Sequence, residues 1–216
     1  MRSLRWVIAA VVLMLIIAIL TEKSHHMKSG VQDTSDTNTT TTPTAPKQTH
    51  FANITAWPDK LQKGQILAVM KVQGRGTIDI ALMPKEAPKT VAHFVQLCNE
   101  KFYNGILFHR VVPHFVVQAG DPQTKTEGVN GPNIGNGGSG HPIPFEVNNL
   151  PNITGSMAMA LSAPRSNTGD SQFFIDLTDN ASLNGDYCVF GHVIKGMSVV
   201  DQIQKGDKII SLAIQK

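Results

Sequence analysis

The stretch LFHRVVPHFVVQAGD, residues 107–121, places charged and polar side chains among valines and phenylalanines. Within it, Arg110 and Gln118 lie on either side of Phe115. Burying such polar groups costs free energy unless they are hydrogen-bonded or put to use. For Arg110 this leaves two alternatives: a functional role, or a structural ion pair with Asp121 or Glu146.

The overall charge argues against nucleic-acid binding. The chain of 216 residues carries a formal net charge of +3, and charged residues make up 16% of it. We find no stripe of basic residues of the kind that follows a phosphate backbone. We therefore expect no nucleic-acid partner, and a length that suits one domain with an appendage.

Residues 1–20 have the composition of a targeting segment. Arg2 and Arg5 precede an uninterrupted apolar run, WVIAAVVLMLIIAIL, which is short for a membrane span of about 20 residues. The run ends in Leu20 and Thr21 rather than in an A-x-A-like cleavage site. The sequence favours an uncleaved signal anchor with a cytoplasmic N-terminus, and a cleaved secretory signal is the alternative.

Residues 21–60 are predicted to form a flexible tether. The segment is rich in threonine and proline and has few large apolar residues, so it cannot bury enough surface to offset the entropy of ordering. The folded domain is predicted to span residues 61–216, with its first strand near Gln65.

The folded part alternates short strand-like runs with turn signals. ILAVMKV and TIDIALM predict two strands joined by a glycine-rich turn. APKTVAHFVQLCNEK predicts a helix, because Val91, Phe94, Val95 and Cys98 form one apolar stripe. MSVVDQIQ predicts a second helix. Many short strands with two helices indicate an antiparallel barrel or sandwich.

Three blocks of the sequence resemble the cyclophilin family. FHRVVPHFVVQAGD resembles the cyclophilin signature, and SQFFI and VFGHVIKGMSVVDQI resemble later blocks in the same order. The likeness runs from about residue 65 to 216, and NEKFYNGILFHR and YCVFG resemble the bacterial type. The resemblance implies a mainly β fold: a closed eight-stranded antiparallel β-barrel capped by two α-helices. It also implies peptidyl-prolyl cis–trans isomerase activity.

This reaction gives the opening stretch a chemical purpose. Rotating an X–Pro bond breaks amide resonance, with a barrier of about 20 kcal/mol, but makes no covalent bond. No metal or other cofactor is therefore expected. A guanidinium can donate to the prolyl nitrogen only in the twisted amide, which is the condition for acceleration. Arg110 is predicted to be that donor and Gln118 to orient it, with Phe115 and Val116 as pocket wall.

The remaining substrate-binding residues are implied by the resemblance alone. They are Met159, Ala160, Phe174, Leu183 and Tyr187. Phe173 is expected to point into the barrel, since neighbours on a strand face opposite sides. Leu161 stands where many members carry Asn or Arg, so only a backbone contact is expected there.

The predicted partners follow from the same resemblance. We expect proline-containing polypeptides as substrates, a monomer, and the membrane as a partner through the N-terminal segment. In a bacterium this places a single-pass protein in the inner membrane with a periplasmic catalytic domain, or a soluble periplasmic protein if the signal is cleaved. Ser182 stands at the position of a rim tryptophan, which predicts weak cyclosporin binding.

Other functional hypotheses stay open at this point. A catalytically idle module that binds proline-containing segments is the main alternative. A metal hydrolase using His109, His114 and His141 fits no zinc spacing, and a structural envelope protein has nothing specific in its favour. Cys98 and Cys188 are expected to be free, buried thiols.

Overall fold

The computed structural model describes residues 51–215. Eight strands form one antiparallel sheet in the order β3-β4-β6-β5-β7-β2-β1-β8. The strands are β1 (Ile66–Val72), β2 (Gly76–Leu82), β3 (Arg110–Val112), β4 (Val116–Ala119), β5 (Ser156–Met159), β6 (Phe173–Asp176), β7 (Val189–Lys195) and β8 (Ile209–Ile214). The mainly β, eight-stranded prediction is confirmed.

The two edges of the sheet are joined by the segment that precedes β3. Leu107 forms an isolated antiparallel bridge with Lys208, just before β8. Phe108 N donates to Asp207 O at 2.9 Å, and Gly206 N donates to Phe108 O at 2.9 Å. The curled sheet is therefore closed by a single bridge and a few hydrogen bonds rather than by a full ladder between β3 and β8.

Alternation along the strands fills the interior of the curled sheet. Ile78, Ile80 and Leu82 of β2 are fully buried in the main core. Phe173 on β6 belongs to the same core, whereas its neighbour Phe174 belongs to a second, outer cluster. The expectation that these two rings face opposite sides is confirmed, and it places Phe174 on the outer surface of the sheet.

One of the two predicted helices is confirmed at nearly its full length. α1 (Pro88–Asn99) begins with proline, whose missing N–H is not needed in a first turn. Its Phe94 ring packs against Tyr103, Phe173 and Phe190. The second predicted helix is a single turn, α3 (Met197–Val200). Another short helix, α2 (Thr124–Glu127), and a 3-10 turn at Ala181–Leu183 were too short to predict from periodicity.

Residues just before the predicted domain boundary at residue 60 contact the sheet. Trp57 Nε1 donates to Ser156 Oγ at 2.9 Å, and its ring stacks on His192 with centroids 4.6 Å apart. Ala52 N donates to Asn149 O at 2.8 Å. The end of the predicted tether therefore packs against the folded domain through its two aromatic residues, Phe51 and Trp57.

The predicted anchor at residues 1–20 and the first part of the predicted tether, 21–50, lie outside the described residues. Between residues 51 and 215, no helix is long and apolar enough to cross a membrane. Both cysteines lie within this range, and both are free and buried, as predicted. Burial raises the pKa of the Cys188 thiol to about 12.

Candidate active site

The opening stretch forms a tight β-hairpin. β3 and β4 pair so that Arg110 stands opposite Gln118, and Val112 opposite Val116. Phe115 N donates to Val112 O at 3.1 Å, and His114 takes a positive φ of 56° in the turn. The hairpin therefore brings Arg110, Phe115 and Gln118 together on one surface of the sheet.

These side chains border a cavity of about 310 Å³. It is lined by Arg110, Phe115, Val116, Gln118, Ala160, Leu161, Phe174, Leu183 and Tyr187. The walls are mostly apolar, and the Phe174 and Tyr187 rings meet edge to face with centroids 5.6 Å apart. Arg110 is exposed, and its Cζ lies 5.5 Å from the centroid of the Phe115 ring. The cavity is an apolar pocket with one guanidinium at its border.

A chain of hydrogen bonds through Gln118 and Gln172 orients the Arg110 guanidinium. Arg110 Nη1 donates to Gln118 Oε1 at 3.4 Å, and Gln118 Nε2 donates to Gln172 Oε1 at 3.0 Å. Gln172 Nε2 in turn donates to the carbonyls of Gly135 and Gly137, at 2.9 and 2.8 Å. Because the Gln172 amide group is fixed by these two carbonyls, the orientation of Gln118 is fixed as well.

The glycine and aspartate that follow Gln118 shape the loop behind it. Gly120 has a φ of 108°, and a Cβ there would lie 2.6 Å from Gln172 Cα, so only glycine fits. Asp121 is fully buried, and its carboxylate accepts hydrogen bonds from the backbone N–H groups of Gly135 at 2.6 Å and Gly137 at 3.2 Å. The two residues thus position the carbonyls that bind Gln172.

Most of the predicted site residues come together around the cavity. Arg110, Phe115, Val116, Gln118, Ala160, Phe174, Leu183 and Tyr187 all line it. Met159 does not: it is 2% exposed and packs in the main core, because alternation on β5 turns it inward. The structure therefore corrects its assignment as a substrate-binding residue.

Two further residues, Leu161 and Gln172, belong to the site beyond what the sequence patterns indicate. Leu161 lines the cavity itself, where only a backbone contact was expected. Gln172, in the SQFFI block, connects Gln118 to the glycine-rich loop. A polar residue next to two strand phenylalanines was the available signal, but its partners are distant in sequence and could not be read from it.

The ion-pair hypothesis for Arg110 is wrong. The Asp121 carboxylate is turned toward backbone N–H groups, and Glu146 accepts hydrogen bonds from Lys89 N and from Thr90. Among the described residues, Arg110 takes part in no ion pair. Its charge is therefore available to a bound molecule.

The part of the chain from residue 51 onward contains no group of three or more His, Cys, Asp or Glu side chains that could hold a metal ion. His109, the first member of the alternative metal set, is buried beside Arg110. His114 lies in the hairpin turn, and His141 is exposed in the loop that follows the glycine-rich segment. The three histidines therefore do not form a metal centre.

Comparisons with known proteins agree with this fold. The family described as "Cyclophilin type peptidyl-prolyl cis-trans isomerase/CLD" matches residues 67–212. A probable peptidyl-prolyl cis-trans isomerase of Brucella suis biovar 1 is 40% identical over 143 residues, 65% of this chain and 72% of the relative. The peptidyl-prolyl cis-trans isomerase of Synechococcus elongatus is 38% identical over 142 residues, 65% of this chain and 90% of the relative.

Solved structures agree as well. The crystal structure of a cyclophilin type peptidyl-prolyl cis-trans isomerase of Cryptosporidium parvum is similar with a TM-score of 0.60 and 25% identity. The match covers 70% of this chain and 98% of that one. A second structure of that protein was determined in the presence of the dipeptide Ala-Pro. The chain described here belongs to the cyclophilin-type peptidyl-prolyl cis–trans isomerase family.

Proposed function

We propose that the apolar cavity holds the proline ring of a polypeptide and that Arg110 stabilises the twisted X–Pro amide beside it. The observation that carries the proposal is the position of the Arg110 guanidinium, which forms no ion pair with a described residue, at the border of an apolar cavity. An apolar pocket of this size suits a small ring, and Val116 and Phe174 offer buried hydrophobic surface to it.

The acceleration follows from a difference between two states of the substrate. In the planar amide the nitrogen lone pair is delocalised, so a donor gains nothing from pointing at it. In the twisted amide the lone pair returns to nitrogen, and Arg110 can donate to it. An interaction formed only in the transition state lowers the barrier, and a donor held in advance costs no reorganisation. Gln118 and Gln172 supply that preorganisation.

The substrate is proposed to be an extended polypeptide. A larger cavity of about 540 Å³ shares Gln118, Ala160 and Leu161 with the proline pocket. This leaves room for residues that flank the proline. The Ala-Pro dipeptide present with the Cryptosporidium protein supports a substrate of this class.

We also propose that the catalytic domain works outside the cytoplasm, tethered to the bacterial inner membrane as a monomer. Arg2, Arg5 and the apolar run at residues 6–20 support the anchor. Fractionation of expressing cells tests it: the chain should stay with the membranes after high-salt and carbonate washes. A soluble periplasmic protein whose mature N-terminus follows about residue 20 would show a cleaved signal instead.

The alternative of an idle binding module requires binding without turnover. It is tested by measuring cis–trans exchange on a short neutral X–Pro peptide, together with binding of the same peptide. We expect exchange that depends on enzyme concentration and saturates with peptide. Saturable binding with an exchange rate equal to that of the free peptide would favour the idle module.

A further inference from the structure

A second groove, of about 590 Å³, shares Arg110 and Gln118 with the proline pocket. Its other lining residues are His109, Val129, Asn130, Gly131, Ile134, Gly135 and Lys205. We call this set the basic groove. Since Arg110 borders both cavities, a molecule in the proline pocket can extend directly into the basic groove.

The two cations of the basic groove, Arg110 and Lys205, form no ion pair with a described residue. Lys205 Nζ has a neutral partner, Asn130 Oδ1, at 3.3 Å. Asp207, two positions along the chain, is instead paired with Arg75 at 2.8 Å. No acidic side chain among the described residues lines the groove. Two cations at one concave surface attract an anion, most strongly where water is partly excluded.

His109 adds an unused hydrogen-bonding group to this groove. The residue is 7% exposed and lies near Gln172 and Asp121, but neither ring nitrogen makes a well-formed hydrogen bond with a described residue. Leaving a buried polar group unpaired is costly, so such a group points to a missing partner. Burial lowers the pKa of His109, which favours the neutral ring with one N–H to donate.

The buried carboxylate of Asp121 does not pair with the cations of the basic groove. Asp121 is fully buried and accepts hydrogen bonds from Gln123 N, Gly135 N and Gly137 N. Its charge is stabilised by those backbone donors rather than by Lys205 or Arg110. The lining residues therefore supply two positive charges and no negative charge, and the exposed Glu127 lies against Gly131 at the edge of the groove.

We propose that the basic groove binds the carboxylate of an Asp or Glu residue in the substrate, close to the isomerised proline. The proposal rests on the proposed function, because it places the proline in the adjacent pocket. The two sites share Arg110, and an extended chain advances about 3.3–3.6 Å per residue. The acidic residue is therefore expected within about three positions of the proline. The enzyme then prefers proline segments with acidic neighbours.

The test uses the full-length chain in detergent micelles and peptides that differ at one position. The parent peptide is uncharged and contains one X–Pro pair. In separate peptides, Glu or its uncharged isostere Gln is placed at one of the three positions before or the three positions after this pair. For at least one position we expect kcat/KM and binding affinity about fivefold higher with Glu than with Gln at low salt. Raising the salt concentration should reduce this ratio.

Lys205→Glu should lower the ratio of kcat/KM for the Glu peptide to that for the Gln peptide to one or below. Lys63→Glu is the control: it changes the net charge equally, at an exposed turn outside the groove, and should leave this ratio unchanged. Equal values for Glu and Gln at every position, or a preference that survives Lys205→Glu, would overturn the inference. If the proposed function is wrong, none of the peptides shows catalysed exchange. This outcome differs from failure of the groove proposal, in which exchange is catalysed equally for the Glu and Gln peptides. The Glu-to-Gln ratio in binding tests the groove even when no exchange is catalysed.

Discussion

Arg110 and Gln118 stand opposite each other on β3 and β4, and Arg110 Nη1 donates to Gln118 Oε1 at 3.4 Å. Residues that are eight positions apart in sequence are thus cross-strand neighbours. The hairpin register places the guanidinium beside the amide that orients it. It also explains why two valine-rich strands carry these polar residues: both side chains line the apolar cavity rather than the core.

Gln172 is expected to act as a positioning residue. Replacing it with Ala removes the acceptor for Gln118 and frees the Arg110 guanidinium to move. The loss of a hydrogen bond, about 0.5–1.5 kcal/mol, predicts a kcat lower by about two- to tenfold with KM little changed. Gln172→Glu keeps the acceptor but loses the donor to Gly135 O and Gly137 O, so it should impair kcat as well. Unchanged kcat in both variants, measured on a neutral peptide, would show that the chain of glutamines is not used.

The sequence predicted local features of the site better than distant ones. The family resemblance implies that Phe174 faces the pocket, strand alternation then turns Phe173 inward, and the structure places the two rings on opposite faces. The same rule turns Met159 inward, because its neighbour Ala160 faces the cavity. The family resemblance, by contrast, implies that both residues bind substrate. The contacts of Gln172 with Gly135 and Gly137 depend on how a long loop folds back, and no periodicity carries that information.

Domain boundaries were less predictable, for a related reason. A threonine- and proline-rich composition indicates little buried surface per residue. Composition is an average over the segment, however, and does not show what an individual side chain contacts. Trp57 provides both a large ring and an N–H donor. Its partners Ser156 and His192 lie 99 and 135 positions later in the chain. Such an isolated contact has no repeating pattern, so composition and periodicity do not reveal it.

Trp57 is expected to stabilise the domain without affecting catalysis. Trp57→Ala removes the stacking on His192 and the hydrogen bond to Ser156, and should lower the free energy of unfolding by about 2–4 kcal/mol. Trp57→Phe keeps an aromatic ring and should cost about 1 kcal/mol. Urea unfolding measures both, and peptide turnover should be unchanged because Trp57 does not line the proline pocket.

Two truncations provide the control for the Trp57 prediction. A chain that lacks residues 1–50 keeps Trp57 and should be as stable as the full domain. A chain that lacks residues 1–58 should show the loss seen in Trp57→Ala. Equal stability of the two truncated chains would contradict a stabilising role for this segment.

Asp176 should make the domain less stable as the pH rises from about 4 to 7. Burial raises its pKa from 3.8 to about 7, and the hydrogen bond from Asn180 offsets this only in part. The folded state therefore binds more protons than the unfolded state in this window, so the free energy of unfolding falls with increasing pH. Asp176→Asn cannot ionise and avoids the loss.

Urea unfolding at pH 4, 6 and 8 checks this effect. The stability of Asp176→Asn relative to wild type should increase by about 2–4 kcal/mol between pH 4 and pH 8. Asp59→Asn, at an exposed carboxylate, is the matched control. A difference between Asp176→Asn and wild type that is independent of pH would refute the assignment.

Cyclosporin is expected to bind weakly. By the family resemblance, Ser182 corresponds to a rim tryptophan of cyclosporin-sensitive members, and it is exposed in the 3-10 turn Ala181–Leu183. Trp57 cannot replace that tryptophan, since its N–H is bound to Ser156. The missing hydrogen bond and aromatic packing predict binding weaker by roughly two orders of magnitude. Titrating the isomerase with the drug should show a gain in sensitivity for Ser182→Trp. Nanomolar inhibition of the wild type would contradict the prediction.

The most direct test of the central claim is the turnover of Arg110→Ala on a short X–Pro peptide. Arg110 is exposed and makes no ion pair with a described residue, so the variant should fold with nearly unchanged stability. Its kcat/KM should nevertheless fall by orders of magnitude, and Arg110→Lys should also fail, because an ammonium lacks the planar guanidinium geometry. If folded Arg110→Ala kept near wild-type turnover, Arg110 would not be the group that stabilises the twisted amide.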